Sequence, residues 1–261
     1  MYAIKGLEPK ERNFATGLII YTLISLLLLI FLPFEFAILK LIATLLTLVA
    51  AVATIWFCVR TIKLYGVNTT EGRLWFKLIA MIITITIGLG LSAILPQKFN
   101  PFAIGATAGF VLIIWGILER IQSAGIKPTK RDYLFGIIVL GAMDVLIALI
   151  LFKFKDEGLE SLRASDHFLE IIVILLAYIA TFLCILMARQ MGGHISQGWF
   201  YLAFGAAMFS ITYTMVTVLR AMGFYETHLW IEAFQILALN AVTFSAFYQR
   251  RRHLAMIKHF I

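Results

Sequence analysis

Apolar residues in this chain come in long blocks rather than in alternation. Eight runs fall near residues 14–34, 36–59, 74–95, 102–121, 133–153, 167–188, 199–221 and 229–249. Each is long enough to cross ~30 Å of hydrocarbon as a helix. Barrel strands would be shorter and would alternate apolar with polar positions. Pro9, Pro33, Pro96, Pro101 and Pro128 all lie at or beyond the predicted helix ends. The runs therefore read as unbroken helices, because an interior proline deletes a backbone hydrogen bond that lipid cannot replace. The first run has the length of a full span and no small-x-small cleavage pattern follows it. It is expected to be a retained helix rather than a signal peptide, and no soluble domain is expected beside the spans.

The polar connections between runs repeat. Residues 6–17 read GLEPKERNFATG and residues 125–136 read GIKPTKRDYLFG. Gly6, Pro9, Arg12 and Gly17 align with Gly125, Pro128, Arg131 and Gly136 without a gap. Further on, FCVRTIKLYGVNTTEG (57–72) aligns with LCILMARQMGGHISQG (183–198), pairing Cys58 with Cys184, Lys63 with Arg189, Gly66 with Gly192 and Gly72 with Gly198. The expected architecture is an all-α integral membrane bundle of eight transmembrane helices, built as two parallel four-helix repeats over 1–124 and 125–261. Four spans per unit make the repeats parallel, related by an axis near the membrane normal.

Composition agrees with this pattern. Hydrophobic residues make up 62% and charged residues 14% of the 261-residue chain, and the mean hydropathy is +0.95. Soluble domains average nearer half apolar and a quarter charged, so lipid must cover the excess. The net charge of +8 reports orientation rather than a nucleic-acid partner, since no basic soluble module is present. One side holds Lys5, Lys10, Arg12, Arg60, Lys63, Arg73, Arg120, Lys127, Lys130, Arg131, Arg189, Arg250, Arg251, Arg252 and Lys258. The other holds Lys40, Lys98, Lys153, Lys155, Arg163 and Arg220. Both termini of a multi-pass cell-membrane protein should then be cytoplasmic. Two cysteines imply no disulfide framework.

The pattern Gly192-x-x-x-x-x-Gly198 followed by Trp199, with a looser copy from Gly66 to Trp75, resembles the polytopic membrane input domains of prokaryotic sensor kinases. The resemblance covers about a third of the chain and includes no kinase output domain. It implies a sensing role for the membrane part.

Several residue groups carry candidate chemistry. Arg12 and Arg131 read as headgroup anchors at the start of each repeat, or as symmetry-related phosphate contacts. Asn13 and Asp132 follow them as candidate helix caps. On the opposite side, Asp166, His167 and Glu170 open the sixth run, Glu226, His228 and Glu232 open the eighth, and Arg220 ends the seventh. His167 with Glu170 and His228 with Glu232 are spaced to share a helical face. Imidazole with carboxylate suits a divalent metal or a small polar ligand, and an interfacial salt-bridge network uses the same residues. Asp144 lies mid-membrane, where a carboxylate costs ~3 kcal/mol on insertion scales. It is expected to face the bundle, as a hydrogen-bonded neutral acid or a proton or cation relay. Ser210, Tyr213, Thr214 and Thr217 form one helical stripe, and Gln235, Asn240 and Thr243 another. Both stripes are partners for Asp144, or glue between helices. Gly105-x-x-x-Gly109 is a close-packing motif. The tail QRRRHLAMIKHFI, with Arg250, Arg251 and Arg252, is expected to lie on the inner leaflet or to dock a cytoplasmic partner.

No Walker loop, zincin motif, nucleophile elbow or haem-attachment motif is present. The leading reading is a non-enzymatic membrane module that senses a ligand or assembles with membrane, cytoplasmic or identical partners. A small transporter or channel using Asp144, and a metal- or haem-binding membrane enzyme, are the alternatives. Reporter fusions at residue 1 and residue 261 are both expected to read cytoplasmic in a tag-accessibility assay; an external reading at either end overturns the topology.

Overall fold

The computed structural model describes residues 9–31, 36–92, 100–152, 168–191, 193–221 and 231–260. Among these residues the chain is all-helical and contains eight helices. They are α1 (Pro9–Phe31), α2 (Phe36–Tyr65), α3 (Thr70–Ser92), α4 (Pro101–Ser123), α5 (Lys130–Phe152), α6 (Phe168–Gln190), α7 (Gly193–Ala221) and α8 (Glu232–Phe260). Five of them, α1, α2, α4, α6 and α7, are long and apolar enough to cross a membrane. A multi-pass membrane protein is what these helices describe, and α3, α5 and α8 pack among them. Pro9 and Pro101 begin helices and Pro128 lies in the α4–α5 connection, whereas Pro33 and Pro96 are outside the described residues.

Local chemistry sets the helix ends. The Asn100 side chain accepts the Ala103 amide at 3.1 Å and Pro101 opens α4, a cap followed by a residue that has no amide hydrogen to lose. At the far end Gly125 takes φ +61, with Gly125 N–H donating to Gln122 and Ile126 N–H to Ile121. This is the glycine-closed helix end in which two orphan carbonyls are satisfied. The first glycine of the second repeated motif thus terminates α4. Gly66 at φ +86 ends α2 in the same backbone region, and the Thr69 hydroxyl accepts the Gly72 amide at 3.0 Å to cap α3. A Cβ on Gly72 would sit 1.9 Å from the Gly66 carbonyl oxygen. Both glycines of Gly66-x-x-x-x-x-Gly72 are therefore required by the turn itself; Gly192, in the second copy, is outside the described residues.

Six helices form a ring. Going round it, α2 packs on α3, α3 on α4, α4 on α6, α6 on α7, α7 on α8, and α8 back on α2. The α1 helix leans on α8 and α2, and α5 leans on α6 and α7, both outside the ring. Glycines let α3 and α4 approach closely: Cβ atoms at Gly88, Gly105 and Gly109 would meet Pro101 O at 2.7 Å, Thr84 O at 2.4 Å and Met81 Cγ at 2.8 Å. Gly105-x-x-x-Gly109 is thus a packing motif within the chain. Exposed apolar side chains such as Leu23, Leu27, Val52 and Ile137 cover the outside, as a lipid-facing surface requires.

The basic tail is helical. Residues 250–260 continue α8 without a break, because no glycine or proline follows Glu232 to stop the helix. Arg250 and Arg251 are half-buried along it, and Arg252 lies on the same extension.

Gly105→Ala is expected to lower the thermal unfolding midpoint in detergent, at a cost of ~1–3 kcal/mol from overpacking. Gly141→Ala is the control: nothing lies within 4 Å of its Cβ position. It should leave the midpoint unchanged or raise it by up to ~1 kcal/mol through helix propensity.

Candidate functional site

The ring encloses an apolar cavity of about 80 Å³, several times the room one water needs. Its lining comes from all six ring helices. Toward the ends of α3, α4, α6 and α7 that carry the basic loops it is lined by Leu78, Ile117, Cys184 and Leu202, and at mid-height by Ala51, Phe110, Phe209, Ala238 and Val242. Its polar groups, Thr44, Thr47, Thr86 and Gln235, gather at the other end. The Thr44 hydroxyl donates to Lys40 O and that of Thr86 to Ile82 O, both at 2.8 Å. Each keeps lone pairs that can accept a further bond. Thr47 is different. It is only 9% exposed, and its hydroxyl has no hydrogen-bond partner. Its side chain lines the cavity while the hydroxyl oxygen itself is shielded.

Hydrogen bonds between helices hold the ring shut. Thr54 and Thr243 hydroxyls lie 2.9 Å apart, Thr61 donates to Ala246 O at 3.3 Å, and Tyr65 donates to Gln249 O at 3.0 Å. These join α2 to α8 along one face. Asn240 donates to Thr22 at 2.7 Å and draws α1 onto α8, while Tyr21 donates to Leu46 O between α1 and α2. Ser245 donates to Gly198 O at 2.7 Å between α8 and α7. Of the two stripes, Asn240 and Thr243 are therefore glue, and Gln235 lines the cavity. Ser210 is buried and donates to Ala206 O at 2.8 Å, with Thr181 of α6 at 3.4 Å. Tyr213 is buried, stacks on Phe209 and packs against Phe102. Thr214 donates to Ser210 O within α7, and Thr217 is half-buried.

A second polar set lies at the basic end. Asp132 is buried and accepts from Thr129 N–H at 2.8 Å, Thr129 Oγ1 at 2.6 Å, Arg189 Nε at 2.8 Å, and the Gln190 amide. Its carboxylate folds back over the first turn of α5 as the acidic member of a capping box and pins that turn to the end of α6. Hydrogen bonds from Arg189 and Thr129, with the Arg189 charge beside them, hold the Asp132 carboxyl well below the usual carboxylate range. On α3 and α4, Arg120 pairs with Glu71 and Lys77 with Glu119, each at 2.8 Å, with Arg73 3.7 Å from Glu119. Arg73, Arg120 and Arg189 thus make ion pairs between helices as well as marking the basic side. Arg12 and Arg131 are exposed, as anchoring requires, and Asn13 is exposed.

Asp144 corrects its expectation. It is exposed rather than facing the bundle, and it accepts from Tyr178 of α6 at 2.6 Å instead of from the α7 stripe. Met143 and Ile147 occupy the packed face of α5, and helical geometry turns the residue beside Met143 to the rim. Its aligned counterpart Ser25 is fully buried in α1.

Of the opposite-side cluster, Asp166, His167, Glu226 and His228 are outside the described residues. Arg220 lies in the last turn of α7. Glu170 accepts from the Asn100 amide, tying the α4 cap to α6, and Glu232 begins α8. Among the described residues no three His, Cys, Asp or Glu side chains converge as a metal site.

Of the polar cavity residues, Gln235 alone was singled out from the sequence. Thr44, Thr47 and Thr86 are single hydroxyls in apolar runs, and only closure of the ring brings them together. No protein family, no characterised protein and no solved structure matches the chain.

A depressed folded-state carboxyl stabilises the protein fully above its unfolded value of about 4 and loses that contribution as pH falls toward the folded value. Asp132→Asn is therefore expected to lower the unfolding midpoint near neutral pH. The gap to the wild type should narrow as the pH is taken below about 4, followed by thermal unfolding in detergent.

Proposed function

We propose that this chain is a non-enzymatic membrane receptor module that binds an apolar or amphipathic, lipid-like molecule inside its helical ring. The observation that carries this is the ring cavity, apolar over most of its lining with Thr44, Thr47, Thr86 and Gln235 grouped at one end. Binding pockets for such ligands are concave, mostly apolar and oriented by a few placed polar groups. The apolar part has room for a short hydrocarbon segment only, so most of an acyl or isoprenoid chain would lie outside the ring. A ligand hydroxyl would donate to the Thr44 or Thr86 oxygen, and a hydroxyl, carbonyl or ester would accept from the Gln235 amide.

The reading includes eight spans in two repeats, 1–124 and 125–261, with both termini cytoplasmic. Matching packing supports the duplication: α2–α3–α4 and α6–α7–α8 pack in the same order, and the two halves meet at α4–α6 and α8–α2. On this topology the polar end of the cavity faces outward. The resemblance to kinase input domains fits a receptor whose occupancy is passed to a partner. Relay along the cavity through Asp144 has no support, since Asp144 sits outside the ring.

The test is saturable binding of a fluorescent fatty-acid probe to the protein in nanodiscs. Ala206→Phe fills the cavity and should weaken binding by about tenfold or more, while Gln235→Leu should weaken it less, by about threefold. Unchanged affinity in Ala206→Phe with an unchanged unfolding midpoint overturns the reading.

A further inference from the structure

From the outward face of α5, we infer that a second membrane protein docks there through a transmembrane helix carrying a basic residue at mid-depth. This rests on the reading of α5 as a membrane span. Leu134, Ile137, Gly141 and Asp144 are spaced three, four and three apart, which places them on one helical face. All four are exposed. Asp144 is the fifteenth of the 23 residues of α5, well inside the hydrocarbon of a spanning helix. A carboxylate offers about four acceptor sites, and the one described bond to Asp144 comes from Tyr178. In hydrocarbon the remainder have no water to turn to.

Among the described residues of α5, α6 and α7 no Lys or Arg lies at that depth. The basic residues of α5, α6 and α7 are Lys130, Arg131, Arg189 and Arg220, all at helix ends. Arg131 is 13 residues from Asp144, about 20 Å along the helix. Charge complementarity therefore specifies the partner: a Lys or Arg in the middle of its span. Ionisable groups in membranes characteristically pair in this way. The surface also permits the approach. Nothing lies within 4 Å of a Cβ at Gly141, one turn from Asp144 and beside the exposed Ala142. Small residues next to a polar one are what close helix contacts in membranes use. Among the described residues of α5, α6 and α7, a second copy offers no mid-depth Lys or Arg, which favours a different protein as the occupant.

The test uses the full chain, donor-labelled, in phosphatidylcholine liposomes. The probes are an acceptor-labelled Leu/Ala transmembrane peptide with one central Lys, and the same peptide with Leu there. The Lys peptide should give energy transfer at about tenfold lower peptide-to-lipid ratio. Asp144→Asn should abolish that preference. Gly141→Leu should weaken Lys-peptide binding without moving the unfolding midpoint. Equal transfer from both peptides, or none from either, overturns the proposal. Transfer between two labelled copies that needs Asp144 and no peptide also overturns it, assigning the face to self-association. The span reading is checked separately with Asp144→Cys, over a background of the buried Cys58 and Cys184. Ready labelling by a membrane-impermeant maleimide places residue 144 in water and overturns both. A protected residue 144 without a Lys preference overturns the docking alone.

Discussion

Closure of α2 on α8 is the contact on which the rest of the molecule depends. Thr54 meets Thr243 there, with Thr61 and Tyr65 below on the same face of α2. Between apolar helices in lipid there is no hydrophobic gain to drive association, so packing and hydrogen bonds across helices must do it. Each threonine hydroxyl also has a carbonyl of its own helix within reach, so its single proton is shared between that helix and the seam. With α2 held to α8, the first and last ring helices are joined and all six helices line one partly open cavity. The other junction, α4 on α6, carries small buried residues, Ala103, Ala106, Ala177 and Ala180, and one polar tie from Asn100 to Glu170.

The two ends of the ring are held differently. At the basic end, ion pairs tie neighbouring helices: Glu71 to Arg120, Glu119 to Lys77, and Asp132 to Arg189. Such pairs sit where water still reaches part of the side chains, so desolvation does not cancel the attraction as it does deep in a core. At the other end the polar groups are hydroxyls and an amide, without a charge among those that line the cavity.

The parts of this architecture legible from sequence were those set by short-range physics. The lengths of the apolar runs, the positions of Pro9 and Pro101, and the glycines at 66 and 125 all act within a few residues of themselves. Each was readable as a helix body or a helix end. The close-packing glycines at 105 and 109 were readable as a motif, though the identity of α3 as their partner was not. Asp144 was found correctly as an unusual residue and placed wrongly. Its depth follows from counting along the run, but its direction follows from which face of α5 packs. Met143 and Ile147 settle that face only through their contacts with α7.

By itself, then, the sequence determined that this protein is a set of long apolar helices, where those helices begin and end, and which side collects the basic residues. These follow from hydrocarbon thickness, backbone hydrogen bonding and the cost of charge in lipid. Only the tertiary structure decided that six helices form a ring with α1 and α5 outside it, that Thr44, Thr47, Thr86 and Gln235 share one cavity, and that Arg73, Arg120 and Arg189 have acidic partners. The physical reason is the same in each case. On a helix that is apolar nearly all round, sequence periodicity does not single out a buried face, so neighbours separated by tens of residues choose it.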